Sequence, residues 1–118
     1  MKYIAVIGSR GFNDYSLFVE NLEYYIQNIK ENITFVSGGA NGTDSLVKRY
    51  CTENNLPLIE FLPDYEKYSG KVAPIKRNDQ IVEKSDMLIA FWDGVSRGSD
   101  YTIKLAAKKG LLIRIVRI

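Results

Sequence analysis

Residues 3–11 read Tyr-Ile-Ala-Val-Ile-Gly-Ser-Arg-Gly, a short apolar run that passes directly into a glycine-containing loop. The apolar positions are continuous rather than alternating, which is expected of a strand covered on both faces. Four further runs are equally brief and rich in β-branched or aromatic residues, at 33–37, 58–62, 87–92 and 111–116. The chain therefore contains five candidate strands of the kind found in buried parallel sheets.

The stretches between these runs have the helical period, because their apolar residues recur at spacings of three and four. The pattern covers residues 17–29, 46–51, 72–82 and 103–107. We expect Asp14 and Ser85 at helix boundaries, Asn41 or Thr43 as the cap of the second helix, and Gly110 after the last. The gaps between strands are too long for hairpins, so the strands are predicted to be parallel and joined by right-handed crossovers.

This alternation predicts an α/β protein with a Rossmann-like three-layer α/β/α sandwich. We expect a five-stranded parallel sheet in the order 3-2-1-4-5, within a single domain that covers residues 1–118. Ligands of such sheets bind beyond the carboxyl ends of the strands, where the strand order reverses. That point lies between the first and fourth strands, and the loops after strands 1, 2 and 4 are the places to look.

Composition limits the chemistry. The 118 residues include 16 basic and 14 acidic side chains, a net charge of +2 that is too small to indicate nucleic-acid binding by itself. The absence of histidine excludes His-based acid/base catalysis and zinc chemistry for this chain alone, and we expect no metal. Cys51, the only cysteine, lies on an apolar helix stripe and is predicted to be a core residue. No apolar stretch approaches the roughly 20 residues of a membrane span, so we expect a cytoplasmic protein without membrane contact.

The loop after the first strand is Gly8-Ser9-Arg10-Gly11. Glycine lets backbone approach a ligand, a serine hydroxyl can bind it, and a guanidinium suits phosphate or carboxylate. An ordinary strand-to-helix turn would also need such residues, so these residues could serve the turn alone and bind no ligand. Gly8, Ser9 and Arg10 are candidate ligand-binding residues.

The loop after the second strand, residues 37–44, reads Ser-Gly-Gly-Ala-Asn-Gly-Thr-Asp. Small residues before a helix expose backbone N–H groups where the helix dipole is positive, which is how phosphates are bound. The loop matches neither a Walker loop nor a dinucleotide fingerprint. The candidate ligand-binding residues here are Ser37, Gly38, Gly39, Gly42, Thr43 and Asp44.

The loop after the fourth strand, residues 92–100, reads Trp-Asp-Gly-Val-Ser-Arg-Gly-Ser-Asp. Trp92 could stack on a base or fill the core. Arg10 and Arg97 facing one cleft would indicate an anionic ligand, because paired cations repel one another without one. The candidate ligand-binding residues here are Trp92, Asp93, Ser96, Arg97, Gly98 and Ser99.

A fourth segment, residues 65–78, precedes and opens the third helix. Lys71, Arg77 and Asn78 could reach the cleft, although a solvated basic face is the commoner outcome for such a segment. Arg77 and Asn78 are kept as candidate ligand-binding residues.

Four motifs in this order resemble the YspA-type proteins of the SLOG superfamily: the Gly8-Ser9-Arg10 loop, the residues 37–44 loop, Arg77-Asn78, and residues 91–99. That superfamily groups Rossmann-like domains related to the DNA-processing protein DprA and to the LOG enzymes. The resemblance extends over residues 4–116. It implies a nucleotide or nucleotide-derived ligand, NAD- or ADP-ribose-like molecules among them, and a homo-oligomer.

The same resemblance bears on catalysis. LOG phosphoribohydrolases carry a P-G-G-x-G-T-x-x-E motif whose glutamate acts at the ribosidic bond. Aligning its G-T with Gly98 and Ser99 puts the glutamate position at Thr102, which has no carboxylate. We therefore expect a binding protein rather than an enzyme, with Asp93 and Asp100 as the nearest candidate catalytic acids.

Three functions remain open. The first is a small-nucleotide sensor or binding module, with phosphates on the loops and Arg10 and Arg97 as counter-ions, and with no further cofactor expected. The second is a hydrolase or transferase acting on a nucleoside or nucleotide N-glycosidic bond. The third is a DprA-like accessory protein that binds single-stranded nucleic acid, which the small net charge disfavours.

Overall fold

The computed structural model describes residues 1–118 and contains five strands and four helices in strict alternation. In chain order they are β1 (Lys2–Gly8), α1 (Tyr15–Ile26), β2 (Ile33–Ser37), α2 (Thr43–Glu53), β3 (Leu58–Glu60), α3 (Ala73–Lys84), β4 (Met87–Trp92), α4 (Arg97–Lys108) and β5 (Leu112–Arg117). All five strands pair in parallel in the order β3-β2-β1-β4-β5. The predicted Rossmann-like fold and strand order are confirmed.

Both faces of the sheet are covered, which explains the continuous apolar runs. On β1, Ile4 and Val6 point to the core that holds Phe18 of α1, while Ala5 points to the opposite core with Ile81 of α3. Successive side chains of a strand alternate between faces, so a strand buried on both sides has no polar positions to alternate with. The helices α1 and α2 form one outer layer, and α3 and α4 form the other.

Element ends follow local hydrogen bonding. β3 stops at Glu60 rather than at residue 62, because Phe61 donates the last bond to the Ser37 carbonyl (2.9 Å) and Pro63 has no N–H for the next. Asp14 caps α1 by accepting a bond from the Leu17 N–H (3.1 Å), as predicted.

Two further helix boundaries agree with the sequence. Ser85 ends α3, and its hydroxyl donates to the Ile81 carbonyl (2.7 Å). Gly110 follows the end of α4. Cys51 is buried, so its predicted place in the core is confirmed, and burial raises the pKa of its thiol to about 11. No helix is long and apolar enough to cross a membrane.

The topology places the site. Because the strands are parallel, their carboxyl ends share one edge of the sheet, and Gly8 at the end of β1 lies opposite Phe91 near the end of β4. The strand order reverses between these two strands, which is where α/β sheets open a crevice. The helices α2, α3 and α4 begin around that crevice.

Candidate functional site

A cleft of about 450 Å³ opens at this edge of the sheet, between the ends of β1 and β4 and the starts of three helices. Its wall is mostly polar and carries three arginines and two carboxylates. The residues that line it are Ile7, Gly8, Ser9, Arg10, Gly11, Gly38, Ala40, Asp44, Pro74, Arg77, Asn78, Ile81, Asp93, Ser96, Arg97, Gly98, Ser99 and Thr102.

The cleft gathers candidates from all four segments that the sequence singled out. The predicted residues in its wall are Gly8, Ser9, Arg10, Gly38, Asp44, Arg77, Asn78, Asp93, Ser96, Arg97, Gly98 and Ser99. The predicted residues outside the wall are Ser37, Gly39, Gly42, Thr43 and Trp92. These five therefore support or border the cleft rather than face into it.

Gly42 and Thr43 join the first two loops. The Thr43 N–H and hydroxyl both donate to the Ser9 carbonyl, at 3.3 and 3.0 Å. Gly42 has φ +71°, and a Cβ there would lie 2.1 Å from the Arg10 carbonyl oxygen. Only glycine allows both this dihedral angle and this approach. The predicted cap by Asn41 or Thr43 is wrong: Gly42 is the N-cap of α2 and makes no side-chain cap bond.

The third loop is organised by Asp93. Its carboxylate accepts bonds from the N–H groups of Val95 (2.9 Å) and Ser96 (2.8 Å), and from the Ser96 hydroxyl (2.7 Å). These bonds hold the pKa of Asp93 well below its usual range. The Asp93 N–H in turn donates to the Ser9 hydroxyl (3.2 Å), which links the β4–α4 loop to the β1–α1 loop.

Trp92 does not line the cleft. It is half-buried, and its indole N–H donates to the Ser96 carbonyl (3.1 Å) while the Arg117 guanidinium lies 5.9 Å from its ring centroid. The ring therefore supports the β4–α4 loop and is not part of the cleft wall.

Arg77 is the unexpected member of the site, because a solvated basic face was the commoner outcome for its segment. Its side chain is only 7% exposed. Nη1 donates to the Gly38 carbonyl (2.7 Å) and Nε to the Asn78 side-chain oxygen (2.8 Å), and the residue forms no salt bridge. Burial lowers the pKa of this guanidinium, and Arg10 lowers it further, whereas Asp44 raises it. The solvated-face interpretation is therefore wrong for Arg77, although Lys71 is exposed.

Arg10 and Arg97 share the cleft with Arg77, and both are exposed. Three guanidiniums thus converge on a space that two carboxylates, Asp44 and Asp93, do not neutralise. Because like charges at close range repel, the arrangement favours an anion between them.

The Asp44 carboxylate accepts fewer hydrogen bonds than the Asp93 carboxylate. One carboxylate oxygen accepts a bond from the Ala40 N–H (3.0 Å). Burial raises the pKa of Asp44, although Ala40, the Ser37 hydroxyl and Arg77 act against that rise. The Ser37 hydroxyl is fully buried and has no hydrogen-bond partner of good geometry, so its effect on Asp44 is that of a nearby dipole.

The two candidate catalytic acids, Asp93 and Asp100, differ in their position relative to the cleft. Asp93 lines the cleft, but its carboxylate is occupied by the loop. Asp100 does not line the cleft and pairs with Lys104 (2.9 Å). Thr102 does line it, with its hydroxyl donating to the Gly98 carbonyl (2.9 Å), so no carboxylate stands at that position. No group of three or more acidic or cysteine side chains is placed to hold a metal ion.

Sequence reasoning did not name six wall residues as ligand-binding candidates, namely Ile7, Gly11, Ala40, Pro74, Ile81 and Thr102. A signal existed for Pro74, because proline is favoured in the first turn of a helix and here marks the start of α3. Arg77, already a candidate, lies one turn further along α3 in the same wall.

The parallel sheet, its order and the polar crevice at the reversal point together define a Rossmann-like α/β protein with a candidate anion-binding cleft. Within that class, the chain belongs to the YspA, cpYpsA-related SLOG family, whose match spans residues 3–68. The first two loops of the cleft lie inside the matched residues. Arg77 and the β4–α4 loop lie beyond them.

Individual proteins are similar to this chain in sequence or in fold. The chain is similar to the Gene 61 protein of Mycobacterium phage D29, at 25% identity over 116 residues, which is 94% of this chain and 93% of that protein. The solved structure of TM1055 shares the fold with a TM-score of 0.71 and 21% identity, over 96% of this chain and 72% of that one. DprA from Streptococcus pneumoniae shares it with a TM-score of 0.76 and 19% identity, over 98% of this chain. This chain spans 50% of that DprA chain, and identities this low show the fold alone.

Proposed function

We propose that this protein binds a small nucleotide or nucleotide derivative, of the NAD or ADP-ribose type, through its phosphate groups. The observation that carries the proposal is Arg77. It is a buried guanidinium in a cleft wall, and its two hydrogen-bonded partners are both neutral. Asp44 is close enough to raise the pKa of Arg77 but forms no salt bridge with it, so the buried charge is only partly offset and an anion in the cleft would complete its coordination.

Other parts of the cleft wall are also suited to binding a phosphate. The first N–H groups of a helix have no partner within the helix, and Gly98 and Ser99 bring the start of α4 to the cleft. Arg10 and Arg97 add exposed guanidiniums on the same space. Guanidiniums and helix N-termini are two frequent phosphate ligands in proteins.

The test is calorimetric titration with AMP, NAD, ADP-ribose and inorganic phosphate. We expect at least one nucleotide to bind, and R77A to weaken that binding by about tenfold or more, since bonds to charged groups contribute roughly 1.5–3 kcal/mol. R114A is the matched control, because Arg114 is exposed on β5 and its guanidinium bonds only to the carbonyl of Ile113 beside it (3.1 Å).

R10A provides a second variant in case R77A unfolds, because Arg10 is exposed and its loss leaves no buried partner. It should weaken binding by a few-fold and leave the urea midpoint unchanged. The proposal is wrong if none of the four ligands binds the native chain, or if R77A, folded by circular dichroism, binds as tightly as the native chain.

A second function, hydrolysis or transfer at an N-glycosidic bond, is favoured by Asp44 alone. Its carboxylate accepts one hydrogen bond, from the Ala40 N–H (3.0 Å), whereas that of Asp93 accepts three within its loop, and burial raises the pKa of Asp44. Prolonged incubation with AMP, NAD and ADP-ribose, followed by chromatography, would reveal base release. That release should vanish in D44N and persist in D100N, and a native chain that releases no base rules this function out.

Binding of single-stranded nucleic acid is tested by adding a single-stranded oligonucleotide to the ligands titrated. It requires an affinity for oligonucleotides that falls steeply with salt, because each phosphate contact releases counter-ions. Oligonucleotide binding that exceeds mononucleotide binding and has this salt dependence would favour it over the first proposal.

A further inference from the structure

Asn78 lines the cleft one position after Arg77, and its side chain is half-buried. The only hydrogen bond of that side chain is the one that Oδ1 accepts from Nε of Arg77 (2.8 Å). An asparagine amide carries one acceptor oxygen and a nitrogen with two N–H donors. The two donors on Nδ2 of Asn78 therefore have no partner within the protein.

The bond to Arg77 fixes the orientation of this amide. The oxygen and nitrogen ends of an asparagine amide have nearly the same shape, so the surrounding hydrogen bonds decide which end is which. Here the neighbour is a guanidinium nitrogen, which only donates and must therefore meet the oxygen. A half-turn of the amide would set two donors against each other. Nδ2 of Asn78 is thus held on the side of the amide away from Nε.

The free donors are accessible. Among the side-chain nitrogens and oxygens that are fully buried, only Ser37 Oγ lacks a hydrogen-bond partner. Nδ2 of Asn78 and Nη2 of Arg77 also lack a partner, so each of these nitrogens must reach solvent. Both residues line the cleft, and the bond between them keeps their free donors side by side. The cleft wall therefore presents a cationic donor next to a neutral one.

One face of α3 supplies this part of the wall. Four residues of the helix line the cleft at the spacing of a single helical face, namely Pro74, Arg77, Asn78 and Ile81. Asp79, the next residue, does not line the cleft, and its carboxylate accepts a bond from a tyrosine hydroxyl of α4 (2.6 Å). The acid nearest in sequence to the two donors is therefore bound elsewhere.

The neutral amide at position 78 matters for an anion. An aspartate there would accept the same bond from Arg77 Nε, and more strongly, since charge-assisted hydrogen bonds are roughly twice as strong as neutral ones. An aspartate would also offset the charge of the guanidinium and would direct a second oxygen, rather than two N–H groups, away from it. Asn78 holds Arg77 in place without offsetting its charge.

We propose that Asn78 is a second phosphate ligand of the site, with Nδ2 donating to an oxygen of the same phosphate that Arg77 binds. The inference rests on the proposed function and adds a binding residue to it. A phosphate monoester presents three strong acceptor oxygens, so one oxygen can accept a bond from the guanidinium while another accepts one from the neighbouring amide.

The experiment observes the side-chain amide directly by proton–nitrogen NMR of the full chain. N78D identifies the Asn78 signal by its disappearance, because an aspartate has no side-chain N–H. AMP and inorganic phosphate should each move one Nδ2 proton of Asn78 downfield, since that proton enters a hydrogen bond to a charged oxygen. Adenosine at the same concentration should leave the signal in place. The Asn21 amide is the internal control, because its Nδ2 donates to the Leu17 carbonyl (2.9 Å) and the residue does not line the cleft.

Calorimetry measures what the contact contributes to affinity. N78A should weaken AMP binding by about tenfold, because it removes a hydrogen bond to a charged group. N21A is the matched control, because Asn21 is also half-buried and lies on α1, on the opposite side of the sheet from α3. N21A should bind AMP like the native chain.

The outcomes separate this inference from the proposed function. If the native chain binds a nucleotide and the Asn78 signal does not move, Asn78 at most positions Arg77, so the inference is wrong and the proposed function stands. If adenosine moves the signal and inorganic phosphate does not, Asn78 contacts the nucleoside, and the inference is again wrong. N78A that binds AMP like the native chain would also contradict it. A native chain that binds neither inorganic phosphate nor any of the nucleotides overturns both proposals.

Discussion

Arg77 Nη1 donates a hydrogen bond to the carbonyl oxygen of Gly38 over 2.7 Å, and this bond joins α3 to the glycine-rich loop after β2. A Cβ at position 38 would lie 2.5 Å from that same nitrogen, so the guanidinium occupies the space that the glycine leaves free. The absence of a side chain at Gly38 thus allows the Arg77 guanidinium to be buried. The cleft owes its buried cation to this pairing.

Arg77 is buried whereas Arg10 and Arg97 are exposed, and this difference predicts unequal contributions to nucleotide affinity. R77A should reduce nucleotide affinity by about tenfold or more, whereas R97A should reduce it only by about two- to threefold, because Arg97 is exposed and water screens its charge. Calorimetry at 50 and 300 mM salt measures both. The R97A effect should shrink at the higher salt and the R77A effect should persist. If R77A and R97A reduced affinity equally at both salt concentrations, burial would not determine how much each arginine contributes to binding.

Gly42 should be the least replaceable glycine of the site. G42A combines a left-handed dihedral angle with a clash against the Arg10 carbonyl, so we expect unfolding free energy to fall by about 2 kcal/mol or more. G70A is the control, since Gly70 has open space around it and no positive φ, and its effect should stay within about 0.5 kcal/mol. Urea unfolding followed by circular dichroism measures both. Similar midpoints for the two variants would contradict the loop junction described here.

The lowered pKa of Asp93 predicts that the free energy of unfolding decreases at acid pH. Its folded-state pKa lies below the value of about 3.9 for an unfolded aspartate, so the unfolded chain binds more protons in this range. The stability that Asp93 provides is therefore present above about pH 4 and is lost as the pH falls toward the folded pKa. D93N cannot titrate, and its urea midpoint should fall less steeply than the native one between pH 5 and 2, roughly the range that linkage predicts. A D93N slope equal to the native slope would show that Asp93 does not cause the loss of stability in acid.

Tyr50 predicts a loss of stability at alkaline pH. Burial and the hydrogen bond to Glu23 (3.0 Å) raise its pKa from 10.0 to about 12, so the unfolded chain loses its phenolic proton first. Its contribution is intact below about pH 10 and is lost as the pH rises toward 12. Cys51, with a thiol pKa raised to about 11, acts in the same direction. Y50F should therefore flatten, without abolishing, the fall of the urea midpoint between roughly pH 10 and 12. An unchanged slope would mean that Tyr50 titrates alike in both states.

Much of the cleft could be anticipated from the chain because its loops are local features. Glycines and small polar residues directly after an apolar run identify a strand-end loop, and the topology rule brings the loops after β1, β2 and β4 together. Arg10, Asp44 and Arg97 were located in this way, and all three line the cleft. The direction of a side chain within a loop follows no such rule. Trp92 adjoins the site in sequence yet does not line the cleft, and its indole N–H bonds to the Ser96 carbonyl.

The sequence by itself determined the alternation of strands and helices and the parallel sheet, because apolar periodicity and the length of the connections are properties of neighbouring residues. The order 3-2-1-4-5 was expected as the usual one for this class of sheet, and the structure confirms it. Only the tertiary structure decided that Arg77 is buried in the cleft wall. The carbonyl that holds its guanidinium belongs to Gly38, 39 residues earlier in the chain. Contacts over that distance depend on how the helices pack on the sheet, and no local pattern in the chain encodes them.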